Sequence, residues 1–192
     1  LYGATKLAAD KLFVAANNLS GTKKISFSVV RYGNVFGSRG SVVPVFKEKI
    51  LNKEKYLTVT DKDMTRFFIT LDQATSFVIN CFSAMGGGEI FIPKMPSIKI
   101  IDLAKVMKTN NQKIKITGIR PGEKLHEVLN SGFSNQNILD MKKYYVIYPE
   151  IKFFSPKLNY KKIKSKRTIK NFQYRSNKNK FLNTKQIKNL LK

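Results

Sequence analysis

Apolar residues change period repeatedly along this chain, and that alternation limits its architecture more than any other feature. Residues 2–19 carry Ala4, Leu7, Ala8, Ala9, Leu12, Ala15 and Ala16, all good helix formers. Asn17, Asn18 and Ser20-Gly21 predict the stop. Residues 25–31 alternate and then run apolar, as a buried strand does. Residues 33–40 hold three glycines and predict a loop. Val42 to Leu51 follows as a helix, with Pro44 in its first turn. Residues 57–60 and 66–70 predict short strands. Residues 71–85 place Leu71, Ala74, Phe77, Val78, Cys81, Phe82 and Met85 at helical spacing, and Gly86-Gly87-Gly88 ends them. Strand 89–93, helix 100–107 and strand 113–119 complete the series. Beyond about Lys157 the pattern loosens, with a last short helix near residues 186–191. Alternating helix and strand of this kind predicts an α/β fold.

The net charge of +24 invites a nucleic-acid reading, but its distribution weakens it. Residues 151–192 carry fourteen Lys and Arg and no acidic residue, leaving 22 basic and 12 acidic groups in the first 150. No nucleic-acid module accompanies the charge. The tail aromatics Phe153, Phe154, Tyr160, Phe172, Tyr174 and Phe181 could stack on bases or anchor the tail to the domain. No apolar run approaches the length of a membrane span, and no secretion signal opens the chain. Leu1 in place of an initiator Met reads as a cut sequence. One cysteine, Cys81, excludes a disulfide framework or a Cys-based zinc site and predicts a buried core residue. A lone histidine, His126, cannot build a His-rich metal site, so no metal is expected.

Tyr2 and Lys6 lie four apart and share one face of a helix. An ammonium beside a phenol favours the phenolate, which lets a tyrosine exchange a proton with a sugar hydroxyl while hydride leaves the same carbon. On its own the pair also fits two surface residues of an ordinary helix. Asn34 fits a turn residue equally well, and Arg31 fits a structural residue at a strand end with its stem buried. Gly86-Gly87-Gly88 follows a helix and precedes a strand, the wrong order for a dinucleotide fingerprint. The spacing of Gly33, Gly37 and Gly40 fails it too.

Tyr2-Gly-Ala-Thr-Lys6 followed about 25 residues later by Arg31-Tyr32-Gly33-Asn34-Val35-Phe36-Gly37 resembles the extended short-chain dehydrogenase/reductase superfamily. Further blocks are similar to its inverting UDP-N-acetylglucosamine 4,6-dehydratases. They are Ser38-Arg39-Gly40-Ser41-Val42-Val43-Pro44, Thr60-Asp61 with Met64-Thr65-Arg66-Phe67, Gly87 to Lys94, and Gly118-Ile119-Arg120-Pro121-Gly122-Glu123-Lys124-Leu125-His126-Glu127. Tyr174-x-Ser176-Asn177 with Leu182 is similar to that family's ending. The blocks stand in the family's order over residues 2–150.

The resemblance implies the C-terminal part of an NAD(P)-binding, Rossmann-like fold with its substrate-binding domain. It divides the chain into the remainder of the Rossmann-like domain (1–36), a nucleotide-sugar region interleaved with the last Rossmann elements (37–150), and a basic C-terminal segment (151–192). It implies Tyr2 and Lys6 as catalytic and, with Tyr32, Gly33 and Val35, as cofactor-binding. It implies Asn34, Arg39, Gly40, Ser41, Val42, Arg66, Arg120 and Glu123 as substrate-binding, with Arg66 and Arg120 at the diphosphate and Glu123 at the uridine ribose. Arginine suits that role because its planar fork pairs two phosphate oxygens.

The implied reaction is NADP-dependent dehydration of UDP-N-acetylglucosamine to a UDP-linked 4-keto-6-deoxy sugar with inversion at C5. The setting is a cytoplasmic homo-oligomer feeding surface glycans such as nonulosonic acids. The family's catalytic Asp-Lys pair and its pyrophosphate loop are not in this sequence, so the 192 residues alone are expected to be inactive, with exposed strand edges. A UDP-hexose 4-epimerase or another nucleotide-sugar dehydratase is the alternative within the superfamily. A basic nucleic-acid-binding protein is the alternative outside it, and it requires an affinity that falls steeply with salt.

Overall fold

In the computed structural model, residues 2–21, 25–132, 137–149, 168–169 and 172–191 are described. The elements are α1 (Tyr2–Ala16), β1 (Val29–Val30), β2 (Asn34–Val35), α2 (Val42–Leu51), β3 (Tyr56–Val59), β4 (Thr65–Ile69), α3 (Leu71–Ala84), β5 (Ile90–Pro93), β6 (Ser97–Lys99), α4 (Ile100–Met107), β7 (Lys113–Ile116), β8 (Val128–Asn130), β9 (Asn137–Asp140), β10 (Tyr144–Tyr148), β11 (Thr168–Ile169), β12 (Tyr174–Arg175) and α5 (Thr184–Leu191). A single 3-10 turn, Asn17–Leu19, extends α1.

The expected helices all form, within a residue or two at α2, α3 and α4. The strand expected over 25–31 shrinks to the pair Val29–Val30. The expected loop 33–40 contains a two-residue strand, β2, because Asn34 and Val35 pair in parallel with Phe68 and Ile69. The expected strand over 113–119 stops at Ile116, and Gly118 takes a φ of 88° two residues on.

Two compact units form, each from three stretches. The first comprises residues up to Tyr32, Gln73–Lys94 and Leu129–Gln173. Its five-stranded sheet runs β1-β5-β10-β9-β11. β1 and β5 are parallel, with Val29 opposite Ile90, and the other pairings are antiparallel. Helix α3 lays Phe77, Cys81 and Ala84 on the sheet residues Phe91, Leu139 and Val146. The spacing of those three side chains is that of one helical face. Burial pushes the Cys81 thiol up to about 12, so it stays a neutral core group as expected.

Glu89 is fully buried in this unit. Its carboxylate accepts the backbone N–H groups of Gly86 (2.9 Å) and Gly87 (2.8 Å) and the Ser28 hydroxyl (2.6 Å). It thereby satisfies donors that the turn after α3 would otherwise bury unpaired.

The second unit comprises Gly33–Asp72, Met95–Val128 and the residues from Tyr174 onward. β4 is central to one sheet, parallel to β2 and antiparallel to β6, with Arg66 opposite Ile98. β3 and β7 pair in parallel from Tyr56↔Lys113 to Val59↔Ile116. The core gathers Val43 and Phe46 from α2, Leu57 and Val59 from β3, Phe68 from β4, Ile98 from β6, Leu103 and Ala104 from α4, and Ile187 from α5. The last helix begins at Thr184, two residues before its expected start. Asn183 and Gln186 exchange reciprocal hydrogen bonds there, a capping box.

Candidate functional site

The first unit carries Tyr2, Lys6 and Tyr32. Helix α1 includes both Tyr2 and Lys6, four residues apart, and Lys6 is exposed; the Tyr2 side chain lies outside what is described. One turn beyond Lys6 on the same stripe, Asp10 meets Arg31. The Arg31 fork gives Nε and Nη2 to Asp10 at 3.0 and 2.7 Å, and Nη1 to the Leu129 carbonyl at 2.6 Å. Arg31 is thus a structural clamp from the end of β1 to α1. Tyr32, at the end of the same stretch, is exposed.

The second unit carries the remaining candidates. Gly33 is pressed against β4: a Cβ there would stand 2.5 Å from the Phe67 Cβ and 2.9 Å from its carbonyl oxygen. Close packing alone therefore calls for glycine at this position. Asn34 and Val35 are half-buried in β2. Arg39 and Gly40 are exposed, and Gly40 has a φ of 74°. Ser41 caps α2 through its backbone carbonyl, which accepts the Val45 N–H at 3.4 Å. Its hydroxyl oxygen is buried and has no hydrogen-bond partner among the described residues. Val42 begins the helix beside it.

Arg66 is held from several sides. Its Nη1 donates to the carbonyls of Thr65 (2.8 Å) and Leu125 (3.1 Å). Its other face meets Glu127 at 3.5 Å and Glu123 at 3.9 Å. Its side chain is 12% exposed. Burial lowers the Arg66 pKa, with Glu127 and then Glu123 opposing. The guanidinium still keeps its charge, since arginine does not deprotonate in proteins. Glu123 also accepts the backbone N–H of Arg120 at 3.2 Å, in the turn centred on Pro121-Gly122. The Arg120 side chain itself is exposed. Arg66, Glu123 and the backbone of Arg120 thus converge, whereas no contact among Arg39, Gly40 and Arg66 is seen.

Three polar residues behind Arg66 escaped the sequence reading as a group. The Thr65 hydroxyl lies 2.9 Å from His126 Nδ1 and 2.7 Å from the Ser176 hydroxyl. Ser176 and Glu127 exchange backbone contacts: Ser176 N–H donates to the Glu127 carbonyl, and Glu127 N–H donates to Ser176 Oγ, both at 2.9 Å. Burial holds the His126 pKa below its ordinary value; Arg175 and Arg66 push the same way, against Asp63 and Asp61. The phrase Tyr174-x-Ser176-Asn177 was the available signal for Ser176.

The tail aromatics resolve in part. Phe172 packs on Tyr145 with centroids 4.6 Å apart, and Tyr174 on Phe67 at 4.5 Å. The Tyr174 hydroxyl also accepts the Met95 N–H and donates to its carbonyl. Both aromatics anchor the tail, while Phe153, Phe154 and Tyr160 lie outside the described residues. No cluster of His, Cys, Asp and Glu able to hold a metal occurs among the described residues. No described helix is long and apolar enough to cross a membrane.

The family described as polysaccharide biosynthesis protein matches residues 1–149. An inverting UDP-N-acetylglucosamine 4,6-dehydratase of Campylobacter jejuni subsp. jejuni serotype O:2 is 56% identical over 153 residues, which is 80% of this chain and 46% of that protein. A UDP-glucose 4-epimerase of Rickettsia bellii is 35% identical over 195 residues, covering 98% of this chain and 56% of that protein. The X-ray structure of Pen from Bacillus thuringiensis superposes with a TM-score of 0.82 at 35% identity, over 99% of this chain and 56% of that one. The chain spans about half the length of the relatives it matches. The expected α/β class, part of a Rossmann-like short-chain dehydrogenase fold, is borne out by these likenesses and by the parallel pairs β1–β5, β2–β4 and β3–β7.

Proposed function

This chain belongs to the polysaccharide biosynthesis protein family, and from that membership we propose that it is the C-terminal part of an NADP-dependent UDP-N-acetylglucosamine 4,6-dehydratase that inverts C5. The observation that carries the reading is the 56% identity to an inverting dehydratase. The family match over residues 1–149 encloses every candidate site residue from Tyr2 to Glu123.

The local chemistry supports it. Arg66 is a permanent cation whose seat is two carbonyls and two loosely placed glutamates. A diphosphate competes well for such a fork. The unpaired Ser41 hydroxyl, in the segment that resembles the uridine-side loop, is a further group for a ligand to satisfy. Arg39, Gly40, Val42 and Asn34 line the same stretch, and Arg120 with Glu123 would meet the diphosphate and the uridine ribose.

NADP is the cofactor we assign, with Tyr2 and Lys6, four residues apart in the sequence of α1, at its nicotinamide end. Tyr32, Gly33 and Val35 are the further residues we assign to the cofactor. When bound, that cofactor takes up a hydride and returns it, so none is consumed. Tyr2 would accept the C4 hydroxyl proton as the ketone forms. Lys6 would favour the phenolate and hold the cofactor ribose. The ketone would then acidify C5; a base removes that proton, the C6 hydroxyl takes up a proton and leaves as water, and the resulting C5–C6 double bond would gain the returned hydride at C6 and a proton on the opposite face of C5. We assign the protein to nucleotide-sugar supply for surface glycans, as a cytoplasmic homo-oligomer.

The test is product analysis on the complete protein incubated with UDP-N-acetylglucosamine. A UDP-linked 4-keto-6-deoxy sugar with inverted C5 is expected, and its loss in Tyr2→Phe. An equilibrium of C4 epimers would instead support a 4-epimerase. The Rickettsia relative, which matches 98% of this chain, keeps that second reading in view.

A further inference from the structure

Arg66 is seated by two carbonyls that belong to separate stretches of chain, those of Thr65 in β4 and Leu125 in the loop before β8. Their separation decides where the guanidinium points. The backbone ties the stretches through a parallel bridge between Thr65 and His126, in which Thr65 N–H donates to the Leu125 carbonyl at 3.0 Å. The side chains next to the two carbonyls add a further tie, through Thr65 Oγ1 and His126 Nδ1 at 2.9 Å.

Ser176 then braces that tie from a third stretch. It is fully buried, and its Oγ lies 2.7 Å from the Thr65 hydroxyl and 3.2 Å from the Thr65 carbonyl. Its N–H donates to the Glu127 carbonyl and its Oγ accepts the Glu127 N–H, which fixes the residue whose carboxylate faces Arg66 Nε. We propose that Thr65, His126 and Ser176 form a hydroxyl–imidazole relay that positions Arg66 for the anionic part of its ligand.

With a neutral imidazole protonated on Nε2, the hydrogen bonds run in one direction. The Glu127 N–H donates to Ser176, Ser176 to Thr65, and Thr65 to His126. The relay touches no ligand, so its members are positioning residues. Because Arg66 is read as a diphosphate contact, this inference rests on the proposed function. Two features make the effect specific. Thr65 and Arg66 are consecutive on β4, so their side chains leave opposite faces of the strand, and loss of the Thr65 hydroxyl removes no group of the guanidinium itself. Thr65 can also lose its hydroxyl at nearly constant volume, which separates hydrogen bonding from packing.

The experiment measures UDP affinity of the complete protein by calorimetry, for wild type, Arg66→Ala, Thr65→Val, Thr65→Ser and Ser176→Ala, with thermal unfolding of each. Thr65→Val and Ser176→Ala should each weaken UDP binding about tenfold, a loss of about 1.4 kcal/mol. Thr65→Ser, which keeps the hydroxyl, should stay within about twofold of wild type, as the change is smaller than that factor. Equal affinities for Thr65→Val and Thr65→Ser would overturn the relay. Should Thr65→Val not fold, Ser176→Ala decides: unchanged UDP affinity in a folded Ser176→Ala protein overturns it. If Arg66→Ala itself binds UDP like wild type, the diphosphate reading fails first. If only the relay variants bind normally, that reading stands and the relay falls.

Discussion

At the scale of single residues, His126 shows how burial and neighbours turn a lone histidine into a pH-sensitive prop. Burial depresses its pKa, Arg175 and Arg66 add to the effect, and Asp63 and Asp61 resist it. The unfolded chain therefore binds the His126 proton more readily than the folded one. Stability from this group is present above the unfolded value of about 6.5 and is lost as pH falls through the lower folded value. Denaturant midpoints at pH 7 and pH 5 should differ more in wild type than in His126→Gln; equal differences would remove His126 from the acid response. His126 was legible only as a member of a substrate-side block. Its partners Thr65 and Ser176 stand 61 and 50 residues away in the chain, so no local spacing announces them. Arg66 and Glu123 were legible because short blocks of characteristic residue types carry them. Glu89 was read only as the start of a strand, although an acidic residue directly after three glycines is the type that can tie their N–H groups.

At the scale of elements, helices were easier to place than strands. Helical periodicity needs only the residues of the helix, whereas β1, β2 and β12 are two-residue strands defined by distant partners. The β9–β10 hairpin went unread although Tyr144 to Tyr148 is an unbroken aromatic and β-branched run, a pattern suited to a pleated surface. The last helix was placed two residues late because its start is set by a side-chain cap. α5 is eight residues long, too short to persist without help. It has two supports: the Asn183–Gln186 box and the burial of Ile187 against α4 and α2 neighbours. Asn183→Ala should cost about 1 kcal/mol, the usual value of an N-cap. Chemical denaturation reads this directly, and a midpoint unchanged from wild type would mean that packing alone holds α5.

At the scale of the whole molecule, composition and pattern point in different directions about the C-terminal segment. Fourteen basic residues and no acidic ones after residue 150 fit a solvated appendage, whereas the aromatics among them fit an anchored one. The described part of that segment is anchored. Tyr174 is buried against Phe67 and bonds both the N–H and the carbonyl of Met95. Ser176 is fully buried, and Asn179 donates to the Met95 carbonyl and the Ser97 hydroxyl. Ile187 completes the core of the second unit. Which distant stretches cluster into one unit depends on such long-range contacts, and periodicity carries no record of them. Each fully buried large apolar side chain contributes roughly 1.5–3 kcal/mol, and a typical domain holds a net stability of only about 5–15 kcal/mol. Ending the chain after Gln173 removes Tyr174 and Ile187 together with the hydrogen bonds of Ser176 and Asn179, a loss comparable to the whole net stability. Hydrogen exchange should then show the β4 and β6 amides losing their protection. Protection that survived the deletion would return the segment to the status of a solvated basic tail, and with it reopen a role set by charge.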